Sequence, residues 1–375
     1  MLNQKNGITK INTEVAIKRL IKEIEMPKIS FILFHVSPVF DFEQVKRLFC
    51  EAYPSTVVVG SITQGQITGA GYVEDCLVAM SVYGDDFKVD VAVVENFKED
   101  GLLGNKIIEQ SVKRLGLNIK DERLNDKMFG VAYIDGLVGA EEKLGILLNL
   151  MFKKPLNLVG GSCGNLTGNK SAMSVGADTY QDAVILVFVK TNKKVYTGSE
   201  VIHQPMEKAY CVTDVDMETR VLKELDNRPV TDVYKEALGL TKAELTPSVF
   251  AKHPMGKMSK GDTFIASPYQ VLGNNHIQIY IRLVVGNIVH IMEPMNAVEV
   301  SKQTAKKIQE NIAKPKVMFG VSCILRYLQF LEDGQTTRMT EAINDVVPMF
   351  GFTSLGEIIG KTPINQTLTY LVIGE

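Results

Sequence analysis

A chain of 375 residues exceeds one average domain and can bury an ample core, so two domains are expected. Hydrophobic residues at 45% and charged residues at 22% describe a chain folded throughout and exclude a disordered one. The formal charge of −2, with Lys+Arg 41 against Asp+Glu 43 and no basic stripe, excludes a nucleic-acid footprint.

From Glu14 to Glu25, Val15, Ile17, Leu20, Ile21 and Ile24 recur at helical spacing until Pro27 stops them, so residues 1–27 read as an N-terminal helical segment without a signal-peptide core. "ISFILFHVS" at 29–37 reads as a buried strand, "FEQVKRLFCEAY" at 42–53 as an amphipathic helix and "TVVVGS" at 56–61 as a second strand. "DCLVAMSVYGDDFKVDVAVVEN" at 75–96 reads as a hairpin turning at Gly84-Asp85-Asp86. The order returns: strand 127–136, helix 140–152, strand "LNLVGGS", then a hairpin-like pair in "DAVILVFVKTNKKVYTGSE". It returns again in "KVMFGVSCIL", "MTEAINDVV", "PMFGFTS" and "QTLTYLVIG". The spacing agrees, with 25 residues from Asp135 to Gly160, 25 from Arg326 to Gly351 and 23 from Ser37 to Gly60. Three divergent copies of a βαβ-type unit are expected, two within 28–230 and one within 231–375. The fold class is α/β, with mixed sheets built from strand-helix-strand-strand units, helices outside and two closely packed domains, for which a layered α/β/β/α packing is one form.

Between the second and third copies, residues 209–240 carry two strands and a helix begun near Thr231 and closed by Gly239, and 264–294 alternates strands with turns. Among the longest apolar runs is "AVILVFV" at 183–189, far short of the roughly 20 residues of a membrane span. The five cysteines, Cys50, Cys76, Cys163, Cys211 and Cys323, are widely spaced with no C-x-x-C pair, which predicts reduced thiols and a cytoplasmic location.

The glycine corners carry the chemistry. Gly60-Ser61, Gly160-Gly161-Ser162 and Gly351 to Ser354 place small residues where buried strands end, and ligands of open α/β sheets bind there if the amide groups are free. The plainer alternative is that these glycines only make turns. No phosphate-binding fingerprint is satisfied, because "GSITQG" lacks the P-loop lysine. "GGSCG" matches the nucleophile-elbow pattern, which makes a hydrolase through Ser162 or Cys163 an alternative, although no helix pattern follows. Cys323 and Arg326 follow a buried strand, and the Arg326 fork suits a carboxylate ligand. His203 and His253 precede Pro-containing turns, and either is a candidate axial ligand for heme.

The pattern at Val58 to Ile67, apolar-apolar-G-S-x-x-x-G-Q-I, together with "GFTSLGEI" at Gly351 to Ile358, resembles the paired N- and C-terminal FIST domains of bacterial sensory proteins. "FGVSCILR" is similar to the family's C-x-x-R strand end, "INQTLTYLVIG" to its closing strand, and the likeness runs from about Lys28 to Gly374. Two departures bear on the pocket: bulky Ile324 and Leu325 replace small residues, and Gln66 stands where the family often has an acid. The resemblance implies a sensor, not an enzyme, that binds a small molecule such as an amino acid and signals through a separately encoded partner, either a histidine kinase, a chemoreceptor or a cyclic-di-GMP enzyme. No output segment follows Glu375, so the partner is expected to carry the output. Heme binding and nitric-oxide detection are the alternative that some stand-alone members suggest. The ligand-binding residues it implies are Gly60, Ser61, Gly65, Gln66, Gly161, Ser162, Cys163, Cys323, Arg326, Gly351, Ser354, Gly356 and Glu357.

Overall fold

The computed structural model describes residues 1–167, 169–259 and 262–375. In the first copy, β1 (Leu2–Thr9) and α1 (Glu14–Glu23) lead into β2 (Phe31–Val36), α2 (Phe42–Ala52) and β3 (Val57–Ile62), then the short hairpin β4 (Gly65–Thr68) and β5 (Gly71–Glu74), and finally β6 (Leu77–Gly84). The second copy runs through β7 (Lys88–Glu95), α3 (Phe97–Asp100), α4 (Asn105–Arg114), β8 (Met128–Asp135), α5 (Glu141–Met151), β9 (Leu158–Cys163), the hairpin β10 (Met173–Val175) and β11 (Asp178–Tyr180), and β12 (Ala183–Lys190). The third opens with β13 (Val195–Glu200) and is then interrupted. The interruption holds β14 (His203–Asp216), β15 (Val221–Leu225), β16 (Arg228–Pro229), α6 (Val230–Leu238), α7 (Pro247–Lys252), β17 (Met255–Ser259), β18 (Asp262–Ala266), β19 (Pro268–Val271), β20 (Ile277–Ile279) and β21 (Ile288–Pro294). The copy resumes with α8 (Ala297–Asn311), β22 (Pro315–Cys323), α9 (Ile324–Glu332), α10 (Arg338–Asn344), β23 (Met349–Ser354), the hairpin β24 (Glu357–Ile359) and β25 (Thr362–Ile364), and β26 (Leu368–Gly374).

Three six-stranded sheets share one order: β1-β6-β2-β3-β10-β11, β7-β12-β8-β9-β24-β25 and β13-β26-β22-β23-β4-β5. Each copy supplies its parallel pair and closing strand, while the short hairpin comes from a different copy. The first copy's hairpin joins the third sheet, the second's joins the first and the third's joins the second, which closes a cycle. The inner faces meet in one core that includes Phe31 and Val82, Val131 and Tyr133, and Phe319 and Phe352. Helices cover the outer faces: α1 and α2 on the first sheet, α4 and α5 on the second, α8 to α10 on the third. This is a three-sided form of the helix-sheet-sheet-helix layering, since each sheet is apolar on both faces and must be covered twice. The interruption forms its own eight-stranded sheet with its own core around Tyr234 and Phe250. Its two ends lie side by side, because the Met295 amide donates to the Ile202 carbonyl at 2.8 Å.

Three expectations change. The polar strand β1 precedes the opening helix, and both belong to the first copy, so 1–27 is more than a helix. Alternation in "LNQKNGIT" is weak because an edge strand buries little, here mainly Leu2 and Gly7. The apolar pairs β6/β7 and β12/β13 are not hairpins. Each turn carries the chain to the next sheet, where β7 pairs with β12 from Ala183↔Glu95 to Lys190↔Lys88, and β13 pairs with β26. Register also shows that Cys323, not Arg326, is the counterpart of Asp135, for Asp135 faces Cys163 and Cys323 faces Ser354.

Candidate functional site

The glycine corners are not free ends. Gly60 lies between Phe34 and Ser174, Gly160 between Ala132 and Ile358, and Gly351 between Gly320 and Ile67, each inside a ladder completed by the exchanged hairpin. Their lack of a Cβ serves packing. A Cβ on Gly60 would stand 1.9 Å from the Phe34 ring, one on Gly160 2.1 Å from the Ala132 carbonyl oxygen, and one on Gly351 1.7 Å from that of Gly320. The Gly65 amide donates to Thr353 Oγ1 at 2.8 Å, and Gln66 is buried, donating to Thr63 and accepting from Cys76. Ser61 faces the central core, 3.0 Å from Nδ1 of the fully buried His35. Cys163 lies in that core, and burial pushes its thiol up to about 12.

Arg326 does not face a ligand. α9 buries it completely, its Nη2 pairs with the Glu200 carboxylate and its Nη1 donates to the Glu200 carbonyl at 3.2 Å. Its guanidinium carbon also sits 5.0 Å from the Phe330 ring centroid. The proposed heme ligands do not fit a heme. His203 is 2% exposed, both ring nitrogens lack partners, and burial pushes it down to about 3; His253 Nδ1 lies 3.0 Å from the Met292 carbonyl oxygen. Neither lines a described cavity that could take a porphyrin. The nucleophile-elbow pattern lacks its structural setting, because β9 is followed by a loop and β10, not a helix, and Ser162 donates to Glu141.

Several of the remaining candidates do converge. A cavity of about 290 Å³ opens where the ends of β8, β9 and β22 meet the inserted sheet, lined by Glu141, Cys323, Leu355 and Asn365 on one side and Arg220 and Tyr280 on the other. Glu141 sits in the first turn of α5, where the helix N-terminus favours a carboxylate. It accepts the Ser162 hydroxyl, and Gly356 leaves room for it, since a Cβ there would stand 2.8 Å from Glu141 Oε1. Gly161 is held by the same contact, with Gly356 O and Ser354 Cβ each 2.8 Å from its would-be Cβ. Behind the wall, Glu357 accepts the Ser354 hydroxyl and the Thr367 amide at 3.2 Å. Burial above all, with Glu141 nearby, pushes Glu357 up to about 8, so it is a neutral acid at pH 7. Cys323 ends β22 beside it, and burial holds the thiol well above its ordinary range.

Glu142, next along α5, ties the two bodies together: Arg220 Nη2 lies 3.1 Å from it, Arg282 Nε 3.3 Å, and the Arg282 amide donates at 2.7 Å. Glu141, Glu142, Arg220, Tyr280 and Asn365 were not candidates from sequence. Only the acidic pair opening the helix after Gly139 carried a signal, and nothing in the order of the chain sets it against Asn365.

A ring of three exchanged repeats bearing an inserted sheet, with a small polar cavity at their junction, is a two-bodied α/β scaffold. The chain belongs to the FIST family: the FIST N domain model matches residues 30–228 and the FIST C domain model residues 231–360. FIST domains are associated with small-ligand-binding sensory signalling. No curated protein matches the chain. Among solved structures, T. maritima PurL complexed with AMPPCP is 8% identical over 99% of this chain and 72% of its own, with a TM-score of 0.20. T. maritima PurL complexed with FGAR is 9% identical over the same shares, also with a TM-score of 0.20. At that score neither bears on fold or function. Among the described residues no helix is long and apolar enough to cross a membrane, and no group of three or more His, Cys, Asp or Glu could hold a metal ion.

Proposed function

We propose that this chain is a sensor that holds a small molecule in the cavity between the ring and the inserted sheet, and reports occupancy to a separately encoded protein such as a histidine kinase, chemoreceptor or cyclic-di-GMP enzyme. The observation that carries the reading is the two-sided lining, with Glu141, Cys323 and Asn365 from the ring and Arg220 and Tyr280 from the insertion. A ligand touching both bodies binds the closed arrangement better than an open one, and that difference is what shifts a conformational equilibrium. The chain enters and leaves the inserted sheet through adjacent segments at Ile202 and Met295, and Glu142 ties the sheet to the ring through Arg220 and Arg282, so a change in its attitude is one a partner can read. The molecule is bound, not converted, and the five free cysteines fit a reducing cytoplasm.

Native against denaturing mass spectrometry of the purified protein tests this. The expected result is a small adduct, recovered chemically unchanged, that is absent from Leu355→Trp, in which the cavity is filled. Retention of the adduct by a folded Leu355→Trp protein would place the ligand elsewhere.

A further inference from the structure

Two acceptors on the cavity's lining stand out. Glu141 accepts from the Ser162 hydroxyl, and no lysine or arginine pairs with it among the described residues. Asn365 is 7% exposed, and its Oδ1 has no hydrogen-bond partner. A buried acceptor left unmatched is costly, so the site is built for a donor to arrive. The basic residue on the lining, Arg220, is already committed to Glu142 at 3.1 Å and to the Tyr280 carbonyl at 2.8 Å. Arg326 lies behind the wall, held by Glu200. An incoming carboxylate therefore meets a carboxylate and no free guanidinium. An ammonium or amidinium meets Glu141, the Asn365 oxygen and the ring of Tyr280, a surface to which cations are attracted.

We propose that the ligand is a small organic cation, an amine or amidine without a carboxylate, whose charged head is held by Glu141 and Asn365. The proposal rests on the reading of this cavity as the ligand site and goes beyond it by fixing the ligand's charge. The volume of about 290 Å³ lies at the small end of ligand pockets and suits a molecule of a few heavy atoms.

Calorimetric titration of the full chain with matched pairs tests the charge rule: 1,4-diaminobutane against ornithine, 2-aminoethanol against serine, and agmatine against arginine. Within at least one pair the decarboxylated member is expected to bind ten-fold or more tightly, with Glu141→Gln and Asn365→Leu each weakening it ten-fold or more while circular dichroism shows a folded protein. Tighter binding of the amino-acid member overturns the proposal. If Asn365→Leu then weakens that amino acid, the cavity remains the ligand site. Equal affinities, no binding by any member, or folded variants that bind as wild type also overturn it. The reading of the cavity falls separately, by an adduct that survives its filling.

Discussion

Glu357 and Gln66 occupy equivalent places in two copies, each following a glycine in an exchanged hairpin and facing a small hydroxyl residue, Ser354 in one and Thr63 in the other. The amide in the first copy shows that a neutral group satisfies this position, and the acid in the third complies by keeping its proton. Its folded affinity for that proton is raised, so its stabilising contribution is complete below about pH 4.5 and is lost as pH rises through about 8. Glu357→Gln is expected to flatten that decline and to raise stability at pH 8 relative to wild type, where each tenfold difference in proton affinity is worth about 1.4 kcal/mol. Urea unfolding at pH 5, 7 and 9 checks it. For Arg326, truncation to methionine leaves Glu200 unpaired in the core, which costs about 3–5 kcal/mol, whereas Glu200→Met with Arg326→Met recovers most of that loss. Chemical denaturation of the two proteins distinguishes a core ion pair from a ligand arm.

The elements legible in sequence were those whose signal is local. Amphipathic spacing gave α1, α2 and α5, apolar runs gave the parallel strand pairs, and the glycines marked equivalent positions in all three copies. What each strand pairs with was not legible. Turn residues at Gly84 to Asp86 look alike whether the next strand folds back or leaves for another sheet, and only the long register of β7 on β12 decides. The cavity was hidden for the same reason: Glu141 and Asn365 are 224 positions apart and line one cavity because the third copy's hairpin completes the second copy's sheet. The glycines were visible, but the sequence left ligand access and plain turns both open, while the structure shows the glycines inside ladders and packed against the neighbouring strand. Gly351→Ala, with its Cβ 1.7 Å from a backbone oxygen in the neighbouring strand, is expected to yield no soluble protein. Gly273→Ala, with nothing within 4 Å, should stay within about 0.5 kcal/mol of wild type in thermal unfolding.

At the scale of the molecule, two buried bases oppose Glu357. His35 and His203 are each pushed down to about 3 by burial, so stability is lost as pH falls below about 6.5, where the unfolded chain takes up protons that the folded core refuses. Below pH 6.5 two histidines outweigh one acid, and above it the acid acts alone. The melting temperature is therefore expected to peak near pH 6.5, and His203→Leu, which removes a base with no hydrogen-bond partner, should soften the acid limb. The inserted sheet should be separable. Joining Val201 to Asn296 through a short glycine linker is expected to leave a folded ring that no longer binds the ligand, because the insertion's ends already touch. Circular dichroism and the titration above read both outcomes.

The cyclic exchange of hairpins also sets an order of events during synthesis. The first sheet has all its strands once Tyr180 has left the ribosome, since its borrowed hairpin comes from the second copy. The second sheet must wait for Ile364 and the third for Gly374, so β9 emerges with one edge open and keeps it open until the last few dozen residues are made. For most of translation that apolar strand is a sticky template, and a chaperone that shields nascent edges would find a long engagement there.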